Sequence, residues 1–162
     1  MEKNNYDQKM NSLVEEARLL GRFKAFCEKN SSVAAKQRIR NIYNNSSDAL
    51  VTTYNLINNE LQVSLSPEEC NRMRELIAAY LSKNEHRLKI PDSVTKKLLV
   101  DQNGKCAICE GHVDVHSPVD HIVPFKYVGD KLNNNYQLLC NNCNLKKNAS
   151  LDYQIRFMLG TV

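Results

Sequence analysis

The stretch Leu138–Lys147, LLCNNCNLKK, decides the fold of the C-terminal half of the chain. Two residues separate Cys140 from Cys143, a spacing at which one turn brings two thiolates to the same metal ion. Asn144 follows directly, and a pair of lysines ends the stretch. Amide and ammonium groups are not ligands of structural zinc, so the same ten residues indicate a second function beside thiolate metal binding.

A second pair with the same spacing lies upstream, at Cys106 and Cys109, with 30 residues between the two pairs. Four thiolates complete a tetrahedral structural zinc site. A disulfide framework is the alternative for paired cysteines, but the N-terminus MEKNNYDQKMN lacks the apolar run of a secretory signal, so reduced thiols are expected. Cys27 and Cys70 belong to no such pair and are predicted to be small buried hydrophobic residues.

Between the cysteine pairs, VDHIVP at Val119–Pro124 places two polar residues in an apolar run that predicts a strand. Asp120 and His121 are adjacent, so their side chains should point to opposite sides unless the backbone bends there. YQLL at residues 136–139 predicts a second strand, which the intervening loop returns beside the first. A structural zinc does not require Asp120 or His121, which therefore indicate a second site.

The motifs CAIC, VDHIVP, NNYQLLCNNCN and KK follow one another in this order from Cys106 to Lys147. In this order they resemble the HNH nuclease family, whose ββα-metal motif consists of two strands and a helix around a divalent ion. The resemblance implies a zinc-braced ββα-metal module, and together with the helical N-terminal half it predicts an α+β chain.

The resemblance implies roles for three residues around the two strands. His121 matches the first histidine of the family's name, the general base, and Asp120 matches the acid that commonly precedes it as a metal ligand. Asn135 best matches the middle asparagine, which orients the histidine through the intervening loop, while Asn133 and Asn134 leave that register open. A hydrogen bond to the loop backbone is then expected to hold the ring of His121 in the correct tautomer.

Asn144 matches the last letter of the family's name, where many members have histidine, so this chain reads H-N-N. An amide oxygen is a hard neutral ligand, and with Asp120 it would hold a catalytic Mg²⁺ or Mn²⁺. Because zinc fixes Cys143, Asn144 is expected at the start of a helix that aims its amide at this ion. By resemblance the products carry 5′ phosphate and 3′ hydroxyl ends.

Basic residues near these motifs are predicted to contact the phosphate backbone of a nucleic acid, with a solvated charged face as the alternative for each. The predicted contacts are Lys126, Lys131, Lys146 and Lys147. His112 and His116 lie in the hairpin after the first cysteine pair and are predicted to be exposed turn residues, since four cysteines already satisfy zinc.

The N-terminal half reads as a series of helices. Apolar residues recur at helical spacing from Met10 to Phe23, and further helices are predicted to begin at Ser31 or Ser32 and after the break at 44–47. The clearest start is SPEE, in which Ser66 is the N-cap and Glu69 the acid of a capping box.

The polar stretch Ser82–Pro91 predicts a linker, which divides the chain into a helical domain at 1–90 and a nuclease domain at 91–162. Nothing in residues 1–90 resembles a known recognition motif, so DNA binding, dimerisation and docking to another protein remain alternatives for this half.

The net charge of +4 suits a polyanionic partner without demonstrating one. No run of 18 apolar residues is present, so a cytoplasmic protein without a membrane anchor is expected. The sequence therefore favours a metal-dependent endonuclease acting on nucleic acid, with DNA as the favoured substrate, in a restriction or antiphage system. The alternative is a zinc-braced module that binds nucleic acid or protein without catalysis.

Overall fold

A computed structural model describes the backbone of residues 2–162 and the side chains of residues 7–162. Within these residues no helix is both long and apolar enough to cross a membrane. The elements in chain order are α1 Glu2–Lys29, α2 Val33–Asn44, α3 Ala49–Leu61, α4 Pro67–Ser82, α5 Asp92–Asp101, β1 Val119–His121, α6 Phe125–Val128, β2 Tyr136–Leu138, α7 Asn141–Lys147 and α8 Leu151–Met158. The predicted α+β fold is confirmed.

The N-terminal helices begin where local capping signals predict. The Ser32 hydroxyl accepts the Ala35 N–H at 3.1 Å and caps α2. At α4 the Ser66 hydroxyl accepts the Glu69 N–H at 3.1 Å, and the Glu69 carboxylate accepts the Ser66 N–H at 2.8 Å, which completes the predicted capping box. Each cap satisfies backbone N–H groups that the first helical turn leaves without partners.

The main hydrophobic core joins the N-terminal helices to α6 and α8. The ring of Phe23 on α1 lies 6.3 Å from that of Tyr80 on α4 and 6.2 Å from that of Tyr127 on α6, measured between centroids. Cys27 and Cys70 are buried in this core, as predicted for small hydrophobic residues. The division of the chain at residue 90 stays a prediction, and the core extends across it.

A second, smaller core surrounds the four-cysteine region and consists of Cys106, Val113, Leu138, Leu139 and Cys143. Strands β1 and β2 pair antiparallel beside it, with Asp120 opposite Gln137 and His121 opposite Tyr136. Helix α7 begins directly after β2. Two strands followed by a helix are the ββα arrangement that the sequence predicts.

The predicted linker packs against the C-terminal half through Asn84. The Asn84 amide donates to Asp130 Oδ2 at 2.9 Å, and Asn84 Oδ1 accepts the Asp130 N–H at 2.8 Å. Gly129 has a φ of +58°, and a Cβ added there would lie 2.9 Å from the Asn84 backbone nitrogen. Only glycine therefore fits this close approach without moving the segment.

Candidate metal centre and active site

The four cysteines of the two pairs converge, as predicted from their spacing. Their Sγ atoms lie within 4.8 Å of one another, and Cys109 Sγ is 3.7 Å from Cys140 Sγ. A tetrahedral zinc with Zn–S bonds of about 2.3 Å requires sulfurs roughly 3.8 Å apart. The cluster therefore fits a structural zinc ion.

One thiol of the cluster is already disposed to ionise. Burial raises the pKa of Cys106, but backbone N–H groups, including that of Cys140 at 3.3 Å, favour the thiolate and lower this pKa to about 7. Zinc binds the thiolate form, so this environment favours metal binding near neutral pH.

The cysteine cluster also places Asn144. The sulfur of Cys140 accepts the Cys143 N–H at 3.4 Å and caps α7, and the Asn144 N–H donates to the Cys140 carbonyl at 2.9 Å. Asn144 thus lies in the first turn of α7, immediately after a metal-binding position. A rigid metal ligand of this kind fixes the direction of the residue that follows it.

Asp120, His121 and Asn144 line one cavity of about 380 Å³. Strand β1 ends at His121 and the chain bends at residues 122–123, so His121 is the last residue of the strand. The two adjacent side chains thus line one cavity although both residues lie in the strand, and Asn144 joins them there.

His121 is 5% exposed, and its Nε2 lies 2.8 Å from Asp130 Oδ1. The sequence predicted a hydrogen bond from this ring to the loop backbone, and the structure has a carboxylate in its place. Among the described residues no buried side-chain nitrogen or oxygen lacks a partner, and no protein partner of Nδ1 is found. Nδ1 is therefore not fully buried, and since His121 lines the cavity, we infer that Nδ1 faces it.

Asp130, which the sequence reading missed, is the acceptor at the centre of this site. Besides His121, it accepts the Tyr136 hydroxyl, the Leu88 N–H and the Asn84 amide, each at 2.9 Å. Burial alone would raise the pKa of Asp130, but these hydrogen bonds outweigh it and hold that pKa below its usual value. Asp130 is consequently a carboxylate at neutral pH.

Asn135 clamps the chain just past His121. Its Oδ1 accepts the Val123 N–H and its Nδ2 donates to the Val123 carbonyl, both at 2.8 Å. Asn135 is 3% exposed, whereas Asn133 and Asn134 are exposed. The geometry thus singles out Asn135 among the three asparagines, and its role in catalysis stays a prediction.

The four predicted phosphate contacts are placed differently from one another. Lys147 is fully buried, and its Nζ lies 2.8 Å from both Asp120 Oδ2 and the His121 carbonyl. Because the ammonium is enclosed and already paired, the geometry favours a structural role for Lys147, and its predicted phosphate contact stays a prediction. Lys126, Lys131 and Lys146 are exposed, and none of them lines the cavity.

The donors that remain for a catalytic metal are oxygens. Asp120 Oδ2 is occupied by Lys147 and by the Gln137 amide at 3.0 Å, and no hydrogen bond to Asp120 Oδ1 is found among the described residues. The Asn144 amide likewise has no protein partner there. One carboxylate oxygen and one amide oxygen on a single cavity suit a hard divalent cation such as Mg²⁺.

Arg87, from the predicted linker, also lines the cavity. Its guanidinium carbon lies 5.3 Å from the centroid of the Phe125 ring, and the Phe125 ring in turn lies 5.6 Å from that of His121. No carboxylate of residues 7–162 forms an ion pair with Arg87, so this exposed cation is available to an anion. His112 and His116 are exposed, as predicted.

Residues 106–150 match the family model described as HNH endonuclease. With its four-cysteine cluster and its ββα arrangement, this segment fits an HNH endonuclease family with a four-cysteine site. Comparison with the curated proteins and with the solved structures found no match. The family supports a nuclease-type or nucleic-acid-binding function for the chain.

The two lysines of α7 should differ in how much they contribute to the stability of the fold. We expect Lys147→Met to lower the free energy of unfolding by about 3 kcal/mol, because it leaves the carboxylate of Asp120 without its cation. Lys146→Met, on the exposed side of the same helix, should change it by no more than about 0.5 kcal/mol. Urea unfolding of both zinc-loaded variants measures the difference, and equal midpoints would contradict the structural role of Lys147.

Proposed function

We propose that the protein is a divalent-metal-dependent endonuclease that hydrolyses phosphodiester bonds of nucleic acid, with DNA the favoured substrate. The observation that carries this proposal is the convergence of Asp120, His121 and Asn144 on one cavity beside a four-cysteine cluster. A zinc-braced binding module would need the cysteines but not these three polar side chains on a shared cavity.

In this proposal His121 is the general base and takes a proton from the attacking water at Nδ1, the ring nitrogen that reaches the cavity. Asp120 and Asn144 hold Mg²⁺ or Mn²⁺ by oxygen. The bound ion supplies stabilisation of the charge that develops on the phosphate. Asn135 keeps the loop after His121 in place through its two hydrogen bonds to Val123.

In this proposal the cationic side chains of Arg87 and Lys146 bind phosphate groups of the substrate. Arg87 offers a guanidinium without a carboxylate partner on the cavity wall, and Lys146 is exposed two residues past Asn144. The other exposed lysines, Lys126 and Lys131, would contact the backbone farther from the cut. The position of Arg87 makes it the stronger candidate for the phosphate that is cleaved.

We expect Arg87→Ala to raise KM about tenfold with a smaller change in kcat, because a charge-assisted hydrogen bond to phosphate contributes about 1.5–3 kcal/mol. Arg87→Lys, which keeps the charge but not the planar fork, should recover part of the loss. Steady-state cleavage of a defined duplex measures both constants. An unchanged KM in Arg87→Ala would remove Arg87 from the substrate site.

The proposal is tested by incubating zinc-loaded protein with supercoiled plasmid, single-stranded DNA and RNA in Mg²⁺ or Mn²⁺. Asn144→Ala, which removes a proposed ligand and leaves the cysteines intact, is the matched control. Cleavage by the wild type and severe loss in Asn144→Ala support the proposal. Binding of nucleic acid without cleavage in either metal would favour the non-catalytic module.

We place this activity in the cytoplasm and in a restriction or antiphage system, on the strength of the family resemblance. Residues 1–90 would then supply DNA binding, dimerisation or docking to a partner protein. Cells that express the wild-type protein should lower phage plating relative to cells that express Asn144→Ala. Equal phage plating by the two strains would contradict the defence role. Whether the protein forms a dimer is a separate question, which light scattering of the purified protein answers.

A further inference from the structure

We propose that Asp130 is a positioning residue that fixes which ring nitrogen of His121 carries the proton, and that the predicted linker fixes Asp130. The inference rests on the proposed nuclease function for its catalytic meaning. It assigns a role in the site to Asn84 and Leu88, which lie more than 30 residues before His121.

The two carboxylate oxygens of Asp130 face different partners. Oδ2 accepts the Leu88 backbone N–H and the Asn84 amide, and Oδ1 accepts from Tyr136 and His121. A backbone N–H can only donate. The Asn84 amide cannot turn over, because its own Oδ1 accepts the Asp130 N–H at 2.8 Å. The Oδ2 position must therefore be filled by an acceptor.

This arrangement decides the tautomer of a neutral His121 ring. Because Oδ1 belongs to an ionised carboxylate, it accepts a proton from Nε2 and cannot donate one. The hydrogen then resides on Nε2, and the lone pair resides on Nδ1, which reaches the cavity. Only this tautomer can take a proton from a water molecule bound there.

The segment from Lys83 to Leu88 packs closely against the turn that precedes Asp130. Gly129 precedes it with a positive φ, and an added Cβ would lie 2.5 Å from Asn84 Oδ1. Lys83 also donates to the Lys126 carbonyl at 2.7 Å, next to the same turn. The segment from Lys83 to Leu88 is thus held at both the turn and the carboxylate, which leaves Asp130 a single orientation.

Asp130→Asn tests the inference by reversing the hydrogen bond. The surrounding donors require the amide oxygen at the Oδ2 position, so the NH₂ group must occupy the Oδ1 position and donate to His121 Nε2. The ring proton then moves to Nδ1 and the base is lost. Carboxamide substitution of a histidine-orienting aspartate costs about 10⁴ in kcat in a serine protease. We expect a fall of kcat of about 10³-fold or more here, with little change in KM.

The decisive readout is the ¹⁵N spectrum of the imidazole nitrogens in zinc-loaded protein without Mg²⁺ or substrate, at a pH where the ring is neutral. The His121 signals are assigned by their absence from His121→Gln. The wild type should show a protonated Nε2 and an unprotonated Nδ1, and Asp130→Asn the reverse. Asp114→Asn, a change at an exposed carboxylate of the same module, should match the wild type in spectrum and activity.

A wild-type ring protonated on Nδ1 would overturn the inference, as would an Asp130→Asn ring that stays protonated on Nε2. If Asp130→Asn does not fold, the wild-type spectrum still tests the inference, because a ring protonated on Nδ1 would overturn it. The spectrum requires no cleavage, so a protein that shows the expected tautomer but cuts no nucleic acid would refute the proposed function and leave the role of Asp130 standing.

Discussion

His121→Ala should lower kcat for nucleic acid cleavage by about 10³-fold, because it removes the group that accepts the proton of the attacking water. Affinity for nucleic acid and zinc content should change little, since the His121 side chain contacts neither the cysteine cluster nor the exposed lysines. Binding and chemistry should therefore separate in this variant.

The measurement is single-turnover cleavage of a labelled duplex, with binding followed by fluorescence anisotropy and zinc by elemental analysis. His116→Ala is the matched control, because it removes an exposed histidine from the turn after the first cysteine pair. Near-normal cleavage by folded His121→Ala, purified away from other nucleases, would refute the assignment of the base.

The second large effect concerns the metal. Cys106→Ser should lose zinc and expose the smaller core to proteolysis, because four thiolates hold together segments that bury few other apolar side chains. Helices α1 to α4 should stay protected, since their core is formed mostly by their own residues. The active site depends on the same metal through α7, so cleavage should vanish with the zinc.

Limited proteolysis with mass spectrometry locates the protected segments, and elemental analysis counts the zinc. Cys70→Ala, which removes a buried thiol of the main core, should retain one zinc per chain. A zinc-free Cys106→Ser protein that protects residues 106–150 as well as the wild type does would show that the cysteine cluster is not a structural metal site.

Local signals predicted the parts of the molecule that depend on neighbours in sequence. The capping box from Ser66 to Glu69 spans four residues, and each cysteine pair spans four, so both can be read directly from the chain. The ββα motif has equally short elements. Asp120, His121 and Asn144 could be predicted as site residues because each lies in one of these elements.

The residues that the sequence did not single out, Asp130 and Arg87, depend on contacts between distant segments. Asp130 precedes a lysine in a loop and reads as a solvated acid, yet its partners Asn84 and Leu88 lie 46 and 42 residues away. Arg87 reads as part of a polar linker for the same reason. The spacing of a linker carries no information about the surface on which it packs.

The buried position of Lys147, by contrast, could have been predicted from the sequence. It lies four residues after Cys143, and residues four apart share one face of a helix. A helix that turns Cys143 toward buried zinc must also turn Lys147 inward. There the ammonium of Lys147 forms an ion pair with the carboxylate of Asp120. Lys146 is rotated away from that face and is exposed.

The central claim is that the cavity of Asp120, His121 and Asn144 hydrolyses a phosphodiester bond with the help of a divalent ion. It is tested most directly by determining the ends of the products that zinc-loaded protein makes from a labelled DNA duplex in Mg²⁺. The account predicts 5′ phosphate and 3′ hydroxyl ends, formed by the wild type only when Mg²⁺ or Mn²⁺ is added. Other end groups, or cleavage that persists without added divalent ion while zinc stays bound, would contradict it.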